Sequence, residues 1–159
     1  MDELTLRPMT DAEYDAFYSK LITEYASDNI EAGNWTVENA IELSKNATEQ
    51  LLPLGRDTPR VLLLSADNSD GEYVGYVWVG LDRGGVASAG AWIYDIEVNA
   101  SHRGKGYGRA LLQAAERETL KNGVDKIGLN VFGPNRVARN LYESAGYDIT
   151  QIQMSKALS

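Results

Sequence analysis

The chain has 159 residues, no cysteine, one histidine and a formal net charge of −8, with 43% hydrophobic and 24% charged residues. That length suits one domain with a sizeable core, expected over residues 1–159. The lack of thiols removes disulfides, thiolate metal sites and cysteine nucleophiles, and fits a cytoplasmic protein. A single imidazole leaves no metal site built on several histidines, so no metal is expected. Acidity disfavours nucleic-acid binding, and runs as short as "VLLL" (61–64) do not span a membrane.

In chain order, "ELTLRPM" (3–9) alternates as a short strand. Thr10 or Asp11 caps a helix to about Asn29, with Glu13 in its first turn, and "EAGN" (31–34) breaks it. The N-terminus "MDELTLRPMT" is acidic, with no apolar run, and is not read as a secretory signal. A second helix is expected from Val37 to Leu52 with Thr36 as N-cap, ended by Pro53, Gly55 and Pro59. The period then becomes extended. "RVLLLSA" (60–66), the turn "DNSDG" (67–71), "EYVGYVWVGL" (72–81), the turn "DRGG" (82–85) and "SAGAWIYDIEVN" (88–99) read as three strands joined by turns. A helix from Gly106 to Lys121 follows and "NG" (122–123) stops it. "KIGLNVF" (126–132) is a strand, Asn135 caps a helix to Ala145, Gly146 ends it, and "YDITQIQMSK" (147–156) alternates as a last strand. The order predicts one mixed α/β domain, antiparallel hairpins first and a β-α-β unit after.

"RGKGYG" (103–108) sits between a strand and a helix. Glycines 104, 106 and 108 permit unusual dihedrals and close backbone approach. The free N–H groups and dipole of the helix N-terminus favour an anion, above all phosphate, and Arg103 and Lys105 add local positive charge. The P-loop pattern is missing, and G-x-G-x-G after three antiparallel strands is a poor dinucleotide fingerprint.

The pattern that fits is R-x-x-G-x-G, given by Arg103, Gly106 and Gly108 after "YDIEV". With "LNVFGPNRVARNLYESAGY" (129–147), a strand, an asparagine and a helix ending in "LYE…GY", the chain resembles the Gcn5-related N-acetyltransferase (GNAT) superfamily. "IEAGNW" and "LLPLG" are similar to segments of a small group of bacterial members. The resemblance implies a central mixed sheet of six to seven strands flanked by about four helices, with two parallel strands splayed to form an acyl-CoA cleft. It implies acetyl-CoA as cosubstrate and transfer straight to a primary amine, in a small molecule or a protein. The cofactor would be held by Arg103, Gly104, Lys105, Gly106, Tyr107, Gly108 and Arg109, by backbone at Ile96 and Val98, and by Asn135. Val98 N–H would face the oxyanion, and Tyr142 would protonate the leaving thiolate. A non-catalytic acyl-CoA-binding domain, or an acetyltransferase of protein lysines or N-termini, are the alternatives.

Other readings of these residues stay open. Tyr142 also belongs to an apolar helical stripe with Val137, Ala138, Leu141 and Ala145, and Asn135 is also a helix cap. Asp95 and Glu97 lie two apart, so ideal pleating puts both on one face, where either could deprotonate an amine. A bulge would separate them, and a nearby lysine or arginine would neutralise one. His102 is read as loop surface. Tyr14 and Tyr18 have the spacing of a core face, whereas Tyr25 and Trp35, near helix ends, are candidates for the acceptor pocket. The expected partner is an amine, and the acidity suits a cationic one or simply keeps the protein soluble. Neither nucleic acid nor membrane is expected, and a homodimer is allowed.

Overall fold

The computed structural model describes residues 3–159. Strand β1 (Thr5–Pro8) leads at once into helix α1 (Asp11–Glu31). Thr10 explains the abrupt start. Its hydroxyl accepts from Glu13 N–H at 3.1 Å while Glu13 Oε1 accepts from Thr10 N–H at 2.8 Å, a reciprocal capping box. Helix α2 (Ala40–Leu51) begins three residues later than its sequence suggests. The Asn39 side chain accepts from Thr36 N–H at 3.0 Å, and this turn absorbs the residues that would have formed the first helical turn. The N-cap position therefore falls on Asn39 and not on Thr36.

Strands β2 (Val61–Asp67), β3 (Tyr73–Gly80) and β4 (Ala91–Val98) form an antiparallel meander, and β5 (Ile127–Leu129) adds in parallel. The spatial order is β1-β2-β3-β4-β5. The β2–β3 turn is fixed by Asn68 Oδ1, which accepts from Asp70 N–H at 3.0 Å and Glu72 N–H at 2.9 Å. One face of the sheet (Leu63, Tyr76, Trp78) packs on Phe17 of α1, and Ser44 of α2 donates to Ile22 O at 2.8 Å to hold α2 on α1. The opposite face (Val74, Val77, Val79, Ile93) packs on α3 (Tyr107–Lys121) through Leu111, Leu112 and Ala115. Each of those buried leucines stabilises the fold by about 1.5–3 kcal/mol. Helix α4 (Arg136–Ser144) meets α3 locally, where Leu141 approaches the start of α3 at Gly108. Tyr147, just beyond α4, donates to Glu116 at 2.8 Å, and Arg109 donates to Ser144.

The mixed α/β class and the element order are as expected, but the sheet has five strands where six to seven were expected. Residues 147–156 form no strand. The reason lies in β5. Only three of its residues pair with β4, and a Phe132–Asn135 turn follows two residues on, so β5 offers a ten-residue strand only a short edge. Ile149, Ile152 and Met154 are left exposed.

Candidate active site

The site is built by one irregularity. Between β3 and β4, Trp78 pairs with Asp95 but Val79 pairs with Ile93, so Tyr94 is an extra residue, a β-bulge. The bulge turns the successive side chains of Tyr94 and Asp95 to the α1 face. Ile93 joins the α3 core, while Tyr94 stacks on Trp78 with centroids 4.8 Å apart on the α1 side. Gly80 makes room for it, since a Cβ there would lie 2.7 Å from the Tyr94 ring. Because the bulge precedes Asp95, residues 95–98 alternate regularly, with Asp95 and Glu97 opposite Trp78 and Tyr76. The two carboxylates share a face, and the expected danger that a bulge would part them does not arise.

Parallel pairing ends at the same place. Ile93–Leu129 is the last β4–β5 pair, and beyond it β4 continues to Val98 with its β5-facing edge open. Asn99 N–H donates to Val74 O at 2.8 Å, so by alternation the N–H groups of Ile96 and Val98 point away from β3 into the gap. A cleft of about 400 Å³ occupies it, lined by Ile96, Glu97, Val98, Gly108, Asn135 and Tyr142 among others. A cavity of about 700 Å³ lies along the paired half of the strands and past α4; Tyr142 stands in the wall of both. The smaller cleft gathers Ile96, Glu97, Val98, Arg103, Gly108, Asn135 and Tyr142 of the residues singled out by sequence, whereas Asp95 lines neither cavity.

The glycine loop enters this cleft from below. Gly104 and Gly106 have φ of +77° and +84°, which only glycine adopts readily, and Gly106 occupies the α3 N-cap without a side-chain cap. The first intrahelical bond is Ala110 N–H to Gly106 O, so the N–H groups of residues 107–109 are available to an anion. Gly108 lies against α4, its Cβ position 3.4 Å from Leu141 Cδ2.

Three side chains differ from their sequence reading. The Tyr107 ring is buried in the α3 core, and its hydroxyl lies 3.3 Å from Asn68 Nδ2, so it has only a backbone N–H to offer a cofactor. Helical phase is the cause: 107 falls on the same face as Leu111. Arg109 is tied to Ser144 and braces α3 on α4. His102 is not loose loop surface; it packs edge-on against Tyr107 at 5.9 Å. Arg103 donates to Val98 O at 3.0 Å, and Lys105 is exposed in the loop. Asn135 caps α4, accepting from Ala138 N–H at 3.2 Å, while also lining the cleft. Tyr25 and Trp35 stack edge-to-face at 5.3 Å at the far end of α1, and neither lines the two cavities.

The two carboxylates have different surroundings. Glu97 is bonded to Lys20 of α1 and lies 3.8 Å from Arg103. Asp95 is half-buried and accepts from the Tyr76 hydroxyl at 2.7 Å. Burial raises its pKa above the ordinary carboxylate value, the Tyr76 bond offsets part of this, and the Glu97 charge adds to the rise. Burial also raises the Tyr142 phenol, and the charge of Asp95 raises it further. Tyr142 thus keeps its proton near neutrality and is able to donate it. Tyr76 and Lys20 had no local signal in the sequence. They reach the site through strand register and α1 docking, over separations of 19 and 77 residues. Among the described residues no cluster of His, Cys, Asp and Glu is placed to hold a metal. No helix among them is long and apolar enough to cross a membrane.

Comparison with known proteins gives a consistent result. Residues 15–147 match the model of the acetyltransferase (GNAT) family. The N-acetyltransferase YdgE of Bacillus subtilis, itself uncharacterized, is 34% identical over 154 residues, covering 97% of this chain and 98% of YdgE. The crystal structure of the acetyltransferase YycN from Bacillus subtilis superposes with a TM-score of 0.87 at 34% identity, covering 98% and 99% of the two chains. AAC(6')-Iy, solved with a bisubstrate analog of CoA and acetylneamine, shares the fold at a TM-score of 0.60 and 13% identity over 99% of each chain.

Proposed function

This chain belongs to the GNAT acetyltransferase family and is an acetyltransferase; we propose that it moves the acetyl group of acetyl-CoA directly to a primary, cationic amine, with Asp95 as base and Tyr142 as acid. The single observation that carries the assignment is the meeting of three features at one opening, the free β4 edge at Ile96 and Val98, the uncapped α3 N-terminus and Tyr142, with Asp95 close enough behind them for its charge to raise the Tyr142 phenol.

The N–H groups of residues 107–109, presented by Gly104 and Gly106, hold the pyrophosphate of the cofactor. Arg103 and Lys105 supply positive charge at the loop, and Asn135 flanks the cofactor arm while capping α4. Ile96 and Val98 offer the arm a strand edge, and Val98 N–H polarises the thioester carbonyl. Asp95 takes a proton from the incoming ammonium. Its raised proton affinity suits that task better than Glu97, which Lys20 and Arg103 neutralise. Tyr142 gives its proton to the departing sulfur. With no cysteine to carry the acetyl group, amine and cofactor occupy the cleft together. The negative charge of Asp95, which a tyrosine hydroxyl meets in place of a cation, favours a positively charged acceptor.

Calorimetric titration with acetyl-CoA, beside a Gly108→Trp variant of verified fold, tests the binding half. The expected result is binding by the native chain and none by the variant, whose indole would displace Leu141 and fill the cleft. Retained tight binding in the variant overturns the loop assignment. A panel of primary amines with a thiol-release readout then tests the transfer half; binding without turnover of any amine would favour a non-catalytic acyl-CoA-binding domain.

A further inference from the structure

The proposed acceptor is an alkylammonium, and one already sits on a carboxylate of the cleft wall. Lys20 Nζ on α1 is hydrogen-bonded to Glu97 Oε1 and lies 3.8 Å from Glu24 Oε1. Glu97 lines the cleft beside Val98 and Tyr142 and shares its face of β4 with Asp95. Lys20 is 38% exposed, so its four-carbon stem is not locked by packing. Glu97 retains Arg103 at 3.8 Å when Lys20 swings away.

We propose that Lys20 is an internal acceptor, acetylated on Nζ by its own active site when acetyl-CoA is bound and no external amine competes. The inference rests on the acetyl-transfer reading above. Two protons leave the Lys20 ammonium. Asp95 takes the first and passes it to solvent. The lone pair freed attacks the thioester carbonyl carbon, the C–N bond forms, and the C–S bond breaks. The second nitrogen proton is lost as the amide forms, and the thiolate leaves as CoA thiol with a proton from Tyr142, which that nitrogen proton restores. The products are Nζ-acetyl-Lys20, CoA thiol and one proton. The positive charge that balanced Glu97 and Glu24 is removed, which leaves Arg103 as the cation facing Glu97.

The test is incubation of the full chain with acetyl-CoA and no amine, followed by peptide mass mapping. Lys45, Lys121, Lys126 and Lys156 serve as internal references for chemical acetylation. The expected result is one acetyl group on Lys20, at least tenfold above the reference lysines. It should be lost in Lys20→Arg, suppressed by excess coenzyme A on the unaltered protein, and formed at a rate per molecule independent of protein concentration. Lys20 left unmodified in protein that binds acetyl-CoA and acetylates an external amine would overturn the inference alone. So would acetylation insensitive to excess coenzyme A, or a rate that rises with protein concentration. Failure to bind acetyl-CoA at all would overturn the acetyl-transfer reading and the inference with it.

Discussion

Two groups of carboxylates on this sheet are held in opposite ways. At the β1 end, Glu13 and Asp67 take adjacent edges of the Arg7 guanidinium, at 2.7 Å each, and Glu13 also caps α1. At the β4 end, Glu97 is paired with Lys20 and Arg103 but Asp95 has a tyrosine hydroxyl in place of a cation. The first arrangement pushes Glu13 down to about 2, chiefly through its Arg7 bond; the second raises Asp95, chiefly through burial. One carboxylate is thus fixed as a permanent anion that fastens the chain, while the other is left able to exchange a proton.

The sharpest way to break this contrast is Asp95→Asn, which keeps the shape and removes the base. We expect a loss of about 10²–10⁴ in kcat/KM for the acceptor, with acetyl-CoA affinity changed little. The native enzyme should lose activity as pH falls through a group titrating above the ordinary aspartate value of 3.8, and Asp95→Asn should lack that limb. A matching acid limb in the variant would remove Asp95 as the base. Tyr142→Phe comes next, lowering kcat by about 10- to 100-fold with KM for acetyl-CoA steady; unchanged turnover where chemistry limits the rate would end its role as acid.

The β1 cluster is read by stability. Glu13 has a folded value of about 2 against 4.5 for the free group, so its contribution is complete above pH 4.5 and is lost as pH falls toward 2. Glu13→Gln should cost about 1 kcal/mol at neutral pH, reflecting the loss of a partly exposed ion pair while the glutamine oxygen keeps the capping bond from Thr10 N–H, and should flatten the acid limb of the unfolding curve. Chemical denaturation at pH 7 and pH 3 checks both. Equal losses at the two pH values would contradict the assignment.

The sequence was most legible where backbone chemistry is local. Gly104 and Gly106 adopt the positive φ their spacing implied, Asn135 caps as expected, and Thr10 with Glu13 starts α1. Register was less legible. Nothing near Tyr76 in sequence announces Asp95, because their contact depends on how β3 slides past β4, and the Tyr94 bulge sets that slide. At Tyr107 a loop motif and a core face overlap on one residue, with the ring in the core and the N–H left at the helix start. Alternation misled at 147–156, since a strand also needs a partner edge and β5 supplies three residues. Tyr25 and Trp35 stack on each other, a contact between loop and helix that residue type alone does not announce.

The smallest expected effect is the most diagnostic of the division between Asp95 and Glu97. Glu97→Gln removes a charge that Lys20 and Arg103 already balance, so the site loses little net attraction for an amine. It also removes the charge that helps raise Asp95, so the acid limb of the activity profile should move to lower pH. We expect kcat within about threefold of native, a modest rise in KM for the acceptor, and this downward shift of the limb. A loss as large as that of Asp95→Asn would mean that Glu97 is the base and that its pairing with Lys20 opens in the working enzyme. A limb that stays put while KM rises would mean that Glu97 contacts the acceptor without influencing Asp95. The two carboxylates, two residues apart on one face, are separated by their neighbours, and this variant measures how far.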